Sequence, residues 1–208
     1  MWKKLYPQFR RIVCYNESNN EQIKYLRSQN QVQLIDQKQI NILDLWKFSS
    51  AGWKLCPPRI DLNCHEIFCD NDLILLKPCK IIDNFLLKNT VFACDGLQRN
   101  FGNFDSYVPA GIKLNTGIFG IPPGFDLKTK LIKIQAKVQN KGWNDIFDEQ
   151  GFIATVFSKE PGCVIIPINE IYNCVNDFKM ASGLHFCGLN NGNTTQWMTF
   201  RKTKLPLL

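Results

Sequence analysis

Cys56, Cys64, His65, Cys69 and Cys79 place five nitrogen or sulfur donors within 24 residues, the donor types from which tetrahedral zinc sites are built. Their spacing argues against such a site. Zinc knuckles bring paired ligands from a tight turn, whereas Cys64 and His65 are adjacent and point to opposite faces of a strand. Cys64 and Cys69, five apart, also fall on opposite faces. These thiols are therefore expected to be small buried hydrophobes. A thiol nucleophile with a histidine base has only His65 and His185 to draw on. His185 and Cys187 share a strand face, but no local signature frames them as a catalytic pair.

Other residues with chemical potential give weaker patterns. Asp145, Asp148 and Glu149 precede Gly151, yet lack the one-three-five ligand spacing of a calcium loop. Gly111, Gly117, Gly120 and Gly124 sit among Pro109, Pro122 and Pro123 without the strand-to-helix context of a phosphate loop, so they are expected in turns. No residue is assigned to catalysis, a metal or a cofactor on this basis.

The elements that would position any such groups change character along the chain. Residues 14–50 carry the helical signals. Asn19 or Asn20 can cap a helix bearing Ile23 and Leu26, and Asp36 can cap another bearing Ile40, Leu43 and Trp46. Cys56-Pro57-Pro58 ends this region. Beyond Arg59, short apolar runs alternate with turn residues. His65–Cys69, Asp70-Asn71-Asp72 and Leu73–Leu76 together predict a hairpin. Thr90–Cys94, Gly117–Ile121, Phe152–Phe157, Cys163–Ile168, Leu184–Cys187 and Trp197–Arg201 predict further strands. In Lys130–Val138, Ile132, Ile134, Ala136 and Val138 alternate with Lys133, Gln135 and Lys137, the period of a half-buried strand. The expected architecture is mainly β: an antiparallel β-sandwich, with the jelly roll as one form of it, behind a short N-terminal helical segment. Residues 1–58 form the arm and helices, and residues 59–208 the sandwich domain.

Charge and cysteine usage shape the functional expectation. The net charge of +7 comes from the two ends: Lys3, Lys4, Arg10 and Arg11, then Arg201, Lys202 and Lys204, with no acid in either segment. The rest of the chain is neutral, unlike a nucleic-acid-binding domain with a basic face. Nine cysteines, an odd number in irregular order, point to thiols in a reducing compartment rather than a secreted disulfide framework. The sequons Asn16-Glu17-Ser18 and Asn193-Thr194-Thr195 carry little weight in an Asn-rich chain. No run reaches the length of a membrane span, and no secretory signal is evident. Mitochondrial import is an alternative that Pro7 and the absence of serine from the first residues disfavour.

The expectation is a structural or assembly subunit, of the capsid type in a virion or part of a large cytoplasmic complex, and not an enzyme. Its partners would be copies of itself or other proteins, with nucleic acid as a further option for the basic ends. The partner-binding candidates are Lys3, Lys4, Arg10 and Arg11 on the arm, with Phe101, Phe104, Tyr107 and Trp143 in two long aromatic loops. A glycan- or peptide-binding module using those loops is the first alternative. The second is an enzyme whose carboxylate or Cys/His site is scattered through the chain.

Overall fold

The structure, a computed structural model, describes residues 2–16, 20–29, 31–40, 50–138, 145–173, 181–186, 198, 200 and 202. In chain order the elements are α1 (Trp2–Leu5), β1 (Arg11–Tyr15), α2 (Asn20–Ser28), β2 (Val32–Asp36), β3 (Glu66–Cys69), β4 (Leu73–Leu75) and α3 (Lys80–Phe85). They continue with β5 (Phe92–Asp95), β6 (Leu114–Ile121), α4 (Leu127–Gln135), α5 (Asp148–Phe157), β7 (Val164–Ile166), β8 (Ile171–Asn173) and β9 (Gly183–His185). Among the described residues, short 3-10 helices also lie at Gln37–Gln39, Ser50–Leu55 and Gly102–Tyr107.

β1 and β2 pair in parallel through the α2 crossover, which a parallel pair requires. The central sheet runs in the order β3-β6-β5-β7. β6 is antiparallel to β3 and β5, whereas β7 is parallel to β5. A third sheet, β4-β9-β8, again mixes an antiparallel with a parallel pair.

Alternation along β5 and β6 sends side chains into two separate cores. Ala93, Leu114, Phe119 and Ile121 join α4, α5 and the 3-10 helices on one face. Phe92, Cys94 and Ile118 join α3, β4 and Tyr6 of the N-terminal segment on the other. Phe119 stacks on Phe68 of β3 (centroids 4.6 Å apart) and meets Phe157 of α5 edge-on. Each fully buried ring of this kind contributes roughly 1.5–3 kcal/mol. On the opposite face Phe85 and Phe92 meet edge-on, and the Tyr6 hydroxyl accepts from the Cys79 N–H.

A mixed sheet covered on both faces is an α/β architecture, so the expected antiparallel β-sandwich or jelly roll is not formed. Two segments account for most of the error. Lys130–Val138, predicted as a strand, lies mainly in α4. Asp126 caps that helix by accepting from the Thr129 N–H, and Leu127 and Leu131 are buried one turn apart while Ile132 is exposed. Lysines between isoleucines satisfy a period of two over a few residues, but the cap decides for the helix. Phe152–Phe157 lies in α5, which is buried on every side. An apolar run enclosed all round has no period that separates helix from strand.

The hairpin expected across Asp70-Asn71-Asp72 is also corrected. β3 and β4 do form at its ends, but they do not pair with each other; β3 adds to β6 and β4 to β9. Asp36 does cap a helical turn, the 3-10 helix Gln37–Gln39, whereas Leu43 and Trp46 lie outside the described residues. Within Trp197–Arg201, the described residues Met198 and Phe200 are helical rather than extended. Among the described residues, no helix is long and apolar enough to cross a membrane.

α5 lies directly against the loop before Val108. A Cβ added at Gly151 would collide with the Phe101 carbonyl oxygen and approach Phe104 Cβ to 2.8 Å. Gly151→Ala is therefore expected to destabilise the fold by about 1–3 kcal/mol, the usual cost of overpacking, as read from the urea midpoint.

Candidate active site

The turn that separates β3 from β4 carries two carboxylates. Asp70 follows the last residue of β3, and Asp72 precedes the first of β4. Backbone bonds fix both ends of the turn: the Asp70 N–H donates to the Gly117 carbonyl of β6, and the Leu73 N–H donates back to the Asp70 carbonyl. The Phe186 N–H donates to the Asp72 carbonyl, tying the turn to the chain just beyond β9.

His185 is the last residue of β9 and stands opposite Leu73 in the β4–β9 pairing. Its ring is buried, with Nε2 3.5 Å from Asp70 Oδ2 and 3.4 Å from Asp72 Oδ1. Gly117 makes room for it, because a Cβ there would overlap the imidazole. One ligand atom from each of Asp70, Asp72 and His185 lies within 4.8 Å of the other two; among the described residues this is the one such group.

These residues suit a divalent cation. Donors about 2.1 Å from a magnesium-sized ion sit roughly 3–4.2 Å from each other, so only small adjustments are needed. Asp72 Oδ1 is buried and, apart from the His185 ring nitrogen 3.4 Å away, has no polar partner at hydrogen-bond geometry among the described residues. Two hard oxygens and one imidazole favour magnesium or manganese over the sulfur-rich environment of structural zinc.

Beneath the turn lies a partly buried cation. Lys54, in the 3-10 helix Ser50–Leu55, places Nζ 2.8 Å from Asp70 Oδ1 and 3.5 Å from Glu149 Oε2 of α5. It also donates to the Thr116 carbonyl at 3.2 Å, while the Thr116 hydroxyl donates to Glu149 Oε2 at 3.0 Å. Burial disfavours the Lys54 ammonium, but the charges of Glu149 and Asp70 outweigh it and raise its pKa. Burial pushes the Glu149 carboxyl up, with Lys54 opposing. For Asp70, burial is overcome by the lysine charge and by His185, and the carboxyl sits below its ordinary value. Next along α5, Gln150 accepts from the Asn115 amide at 3.2 Å and donates to the Asn100 carbonyl at 2.7 Å.

The residues singled out from sequence fall elsewhere. Phe101 and Phe104 are buried core residues beneath α5, and Tyr107 is partly buried beside them. Lys3, Lys4 and Arg10 are exposed, while Arg11 bonds the Gln31 side chain at 3.1 Å. Trp143 and Cys187 lie outside the described residues, as do Arg201 and Lys204. Cys56 and Cys79 are buried, Cys64 and Cys69 exposed, and none of them joins the ligand group. Asp148, grouped by sequence with Asp145 and Glu149, instead accepts from the Asn103 N–H at 2.7 Å and the Asp145 N–H at 3.0 Å, a structural clasp.

The chain has a glycosyltransferase-like α/β fold with mixed sheets and helices. It superposes on the galactosyltransferase LgtC, solved with donor and acceptor sugar analogues, with a TM-score of 0.61 at 11% identity, covering 96% of this chain and 86% of that one. The glycosyltransferase GlyE of Streptococcus pneumoniae TIGR4 gives 0.56 at 16% identity, covering 91% of this chain and 52% of GlyE. Mouse xyloside xylosyltransferase 1 gives 0.55 at 13% identity, covering 84% and 82%. No family model matches the chain, and no curated protein matches it in sequence. This fold corrects the expectation of a capsid-type structural subunit that is not an enzyme. That expectation rested on a neutral body without motifs, charged ends and aromatic loops, set on a sandwich that is not formed, whereas the three solved structures compared above are glycosyltransferases.

The site has a definite pH behaviour. Burial would lower the His185 pKa, but its bonds to Asp70 and Asp72 and their charges raise it above the ordinary value. In metal-free protein this stabilisation is complete below the unfolded imidazole value near ~6.5 and is lost as pH rises through the higher folded value. Cation binding needs the neutral ring, so affinity runs the other way and climbs over the same interval. Urea unfolding in chelator and Mn2+ titration calorimetry, each at several pH values, should give these opposite slopes. Gly117→Ala, which displaces the ring, is expected to weaken Mn2+ binding at least about tenfold.

Proposed function

We infer that this protein is a divalent-cation-dependent glycosyltransferase acting on a donor sugar activated by a diphosphate. The observation that carries this is the convergence of Asp70, Asp72 and His185 at the ends of three strands, in a fold shared with LgtC, GlyE and xyloside xylosyltransferase 1. Of the three functions weighed from sequence, this corresponds to the second alternative, an enzyme with a scattered carboxylate or Cys/His site.

The chemistry of the donor set points to phosphate. Two carboxylates side by side repel an anionic substrate, yet they are the usual anchor for a cation that takes its remaining ligands from substrate phosphates. When bound, that cation neutralises the charge that gathers on a departing diphosphate. Asp70 and Asp72 would hold it by one oxygen each and His185 by Nε2. The β3–β4 turn, bonded to β6 and to Phe186, keeps those donors aligned before substrate arrives. A hydrolase reading fits less well. Glycosidase carboxylates flank a sugar ring at about 5–5.5 Å or 6.5–9.5 Å, whereas this pair converges on one histidine nitrogen.

The test is release of nucleoside diphosphate from a panel of sugar nucleotides in the presence of Mn2+. Asp70→Asn and Asp72→Asn should each lower turnover by at least about a hundredfold (~2.7 kcal/mol in barrier), with the melting temperature kept within a few degrees. A wild-type protein that binds neither Mn2+ nor any sugar nucleotide in calorimetry overturns the assignment.

A further inference from the structure

We propose that Lys54 is a positioning residue that aims Asp70 at the cation, with Glu149 serving as its counter-charge; this rests on the metal site inferred above. Asp70 uses its two oxygens for different partners: Oδ1 meets Lys54 Nζ at 2.8 Å, while Oδ2 faces His185 Nε2 at 3.5 Å. A carboxylate held by one oxygen has the other directed, so the lysine sets which lone pairs enter the site. Lys54 is itself held from below. Its ammonium donates to the Thr116 carbonyl at 3.2 Å and meets Glu149 Oε2 at 3.5 Å, and that same carboxylate oxygen accepts from the Thr116 hydroxyl.

Three elements thus converge on one ammonium: the 3-10 helix Ser50–Leu55 that carries it, β6 through Thr116 and α5 through Glu149. A long lysine side chain in water samples many rotamers, but here its head has acceptors on several sides. The burial of Glu149 (3% exposed) makes the pair obligatory, because removing one partner of a buried ion pair strands the other charge. Outer contacts of this kind orient metal ligands, and losing them usually costs ten- to a hundredfold in metal affinity.

The experiment must separate aiming from charge and from folding. Lys54→Met alone is a poor test: it strands Glu149, lowers stability and also removes a positive charge that opposes cation binding. The double variant Lys54→Met/Glu149→Gln removes both charges together, so the net charge of the cluster is unchanged. Its melting temperature should recover most of the loss seen in Lys54→Met. Its Mn2+ affinity, measured by calorimetry, should nevertheless remain about tenfold or more below wild type. Glu149→Gln alone should stay within about threefold, and Lys54→Arg, which keeps a cationic donor, should restore part of the affinity.

If the double variant binds Mn2+ as tightly as wild type, Lys54 only neutralises Glu149 and the proposal falls while the metal site stands. If wild type itself binds no Mn2+, the metal site and the positioning role fall together.

Discussion

Asp70 and Asp72, separated by one residue, face a single histidine from a chain that is forced to turn between them. Here it is forced because β3 and β4 are claimed by different sheets, one pairing with β6 and the other with β9. The turn 70–72 is the crossing between those commitments. Its backbone is bonded to β6 on one side and to Phe186 on the other, so the carboxylates cannot drift independently of the sheets. His185 arrives by the same logic, since the register that pairs β4 with β9 ends with that residue opposite Leu73. The candidate site is a consequence of strand pairing rather than a decoration on it.

The two cores serve that arrangement unequally. The cluster containing Phe68, Phe119, Phe152 and Phe157 supports β3, β6 and α5, and so sets the depth of Glu149 and Thr116. The cluster around Phe85, Phe92, Leu73 and Leu75 supports β4 and α3. Phe101 and Phe104 belong to the first, which explains why aromatic residues in a long loop need not meet a partner: they form the floor on which α5 rests.

Much of the element sequence was legible, and the pairing was not. Strands at Glu66–Cys69, Leu73–Leu75, Phe92–Asp95, Leu114–Ile121 and Val164–Ile166 coincide in the main with apolar runs flanked by turn residues. α4 was misread because lysine-isoleucine alternation hides a four-residue repeat, and α5 because burial on every face erases periodicity. Those two helices separate a sandwich from an α/β fold. The site shows the same divide. Asp70-Asn71-Asp72 was visible as a turn, but its chemistry depends on a histidine more than a hundred positions away, and long-range pairing leaves no local mark. An aspartate pair between two apolar strands, with one of only two histidines ending a later strand, was the available clue.

β6 carries Gly117 against the His185 ring and Gly120 against the Phe92 ring. Three positions apart on a strand, these glycines open towards opposite sides of the sheet. The strand is therefore thinnest where the site and the second core press on it from either side. Such a strand behaves as a shared wall rather than a spacer. Drift in sequence that thickens it on one side is read as displacement of the His185 ring, and on the other as loss of packing. Variation that retunes this molecule has to enter through the loops and helix faces, because the wall itself has no spare width.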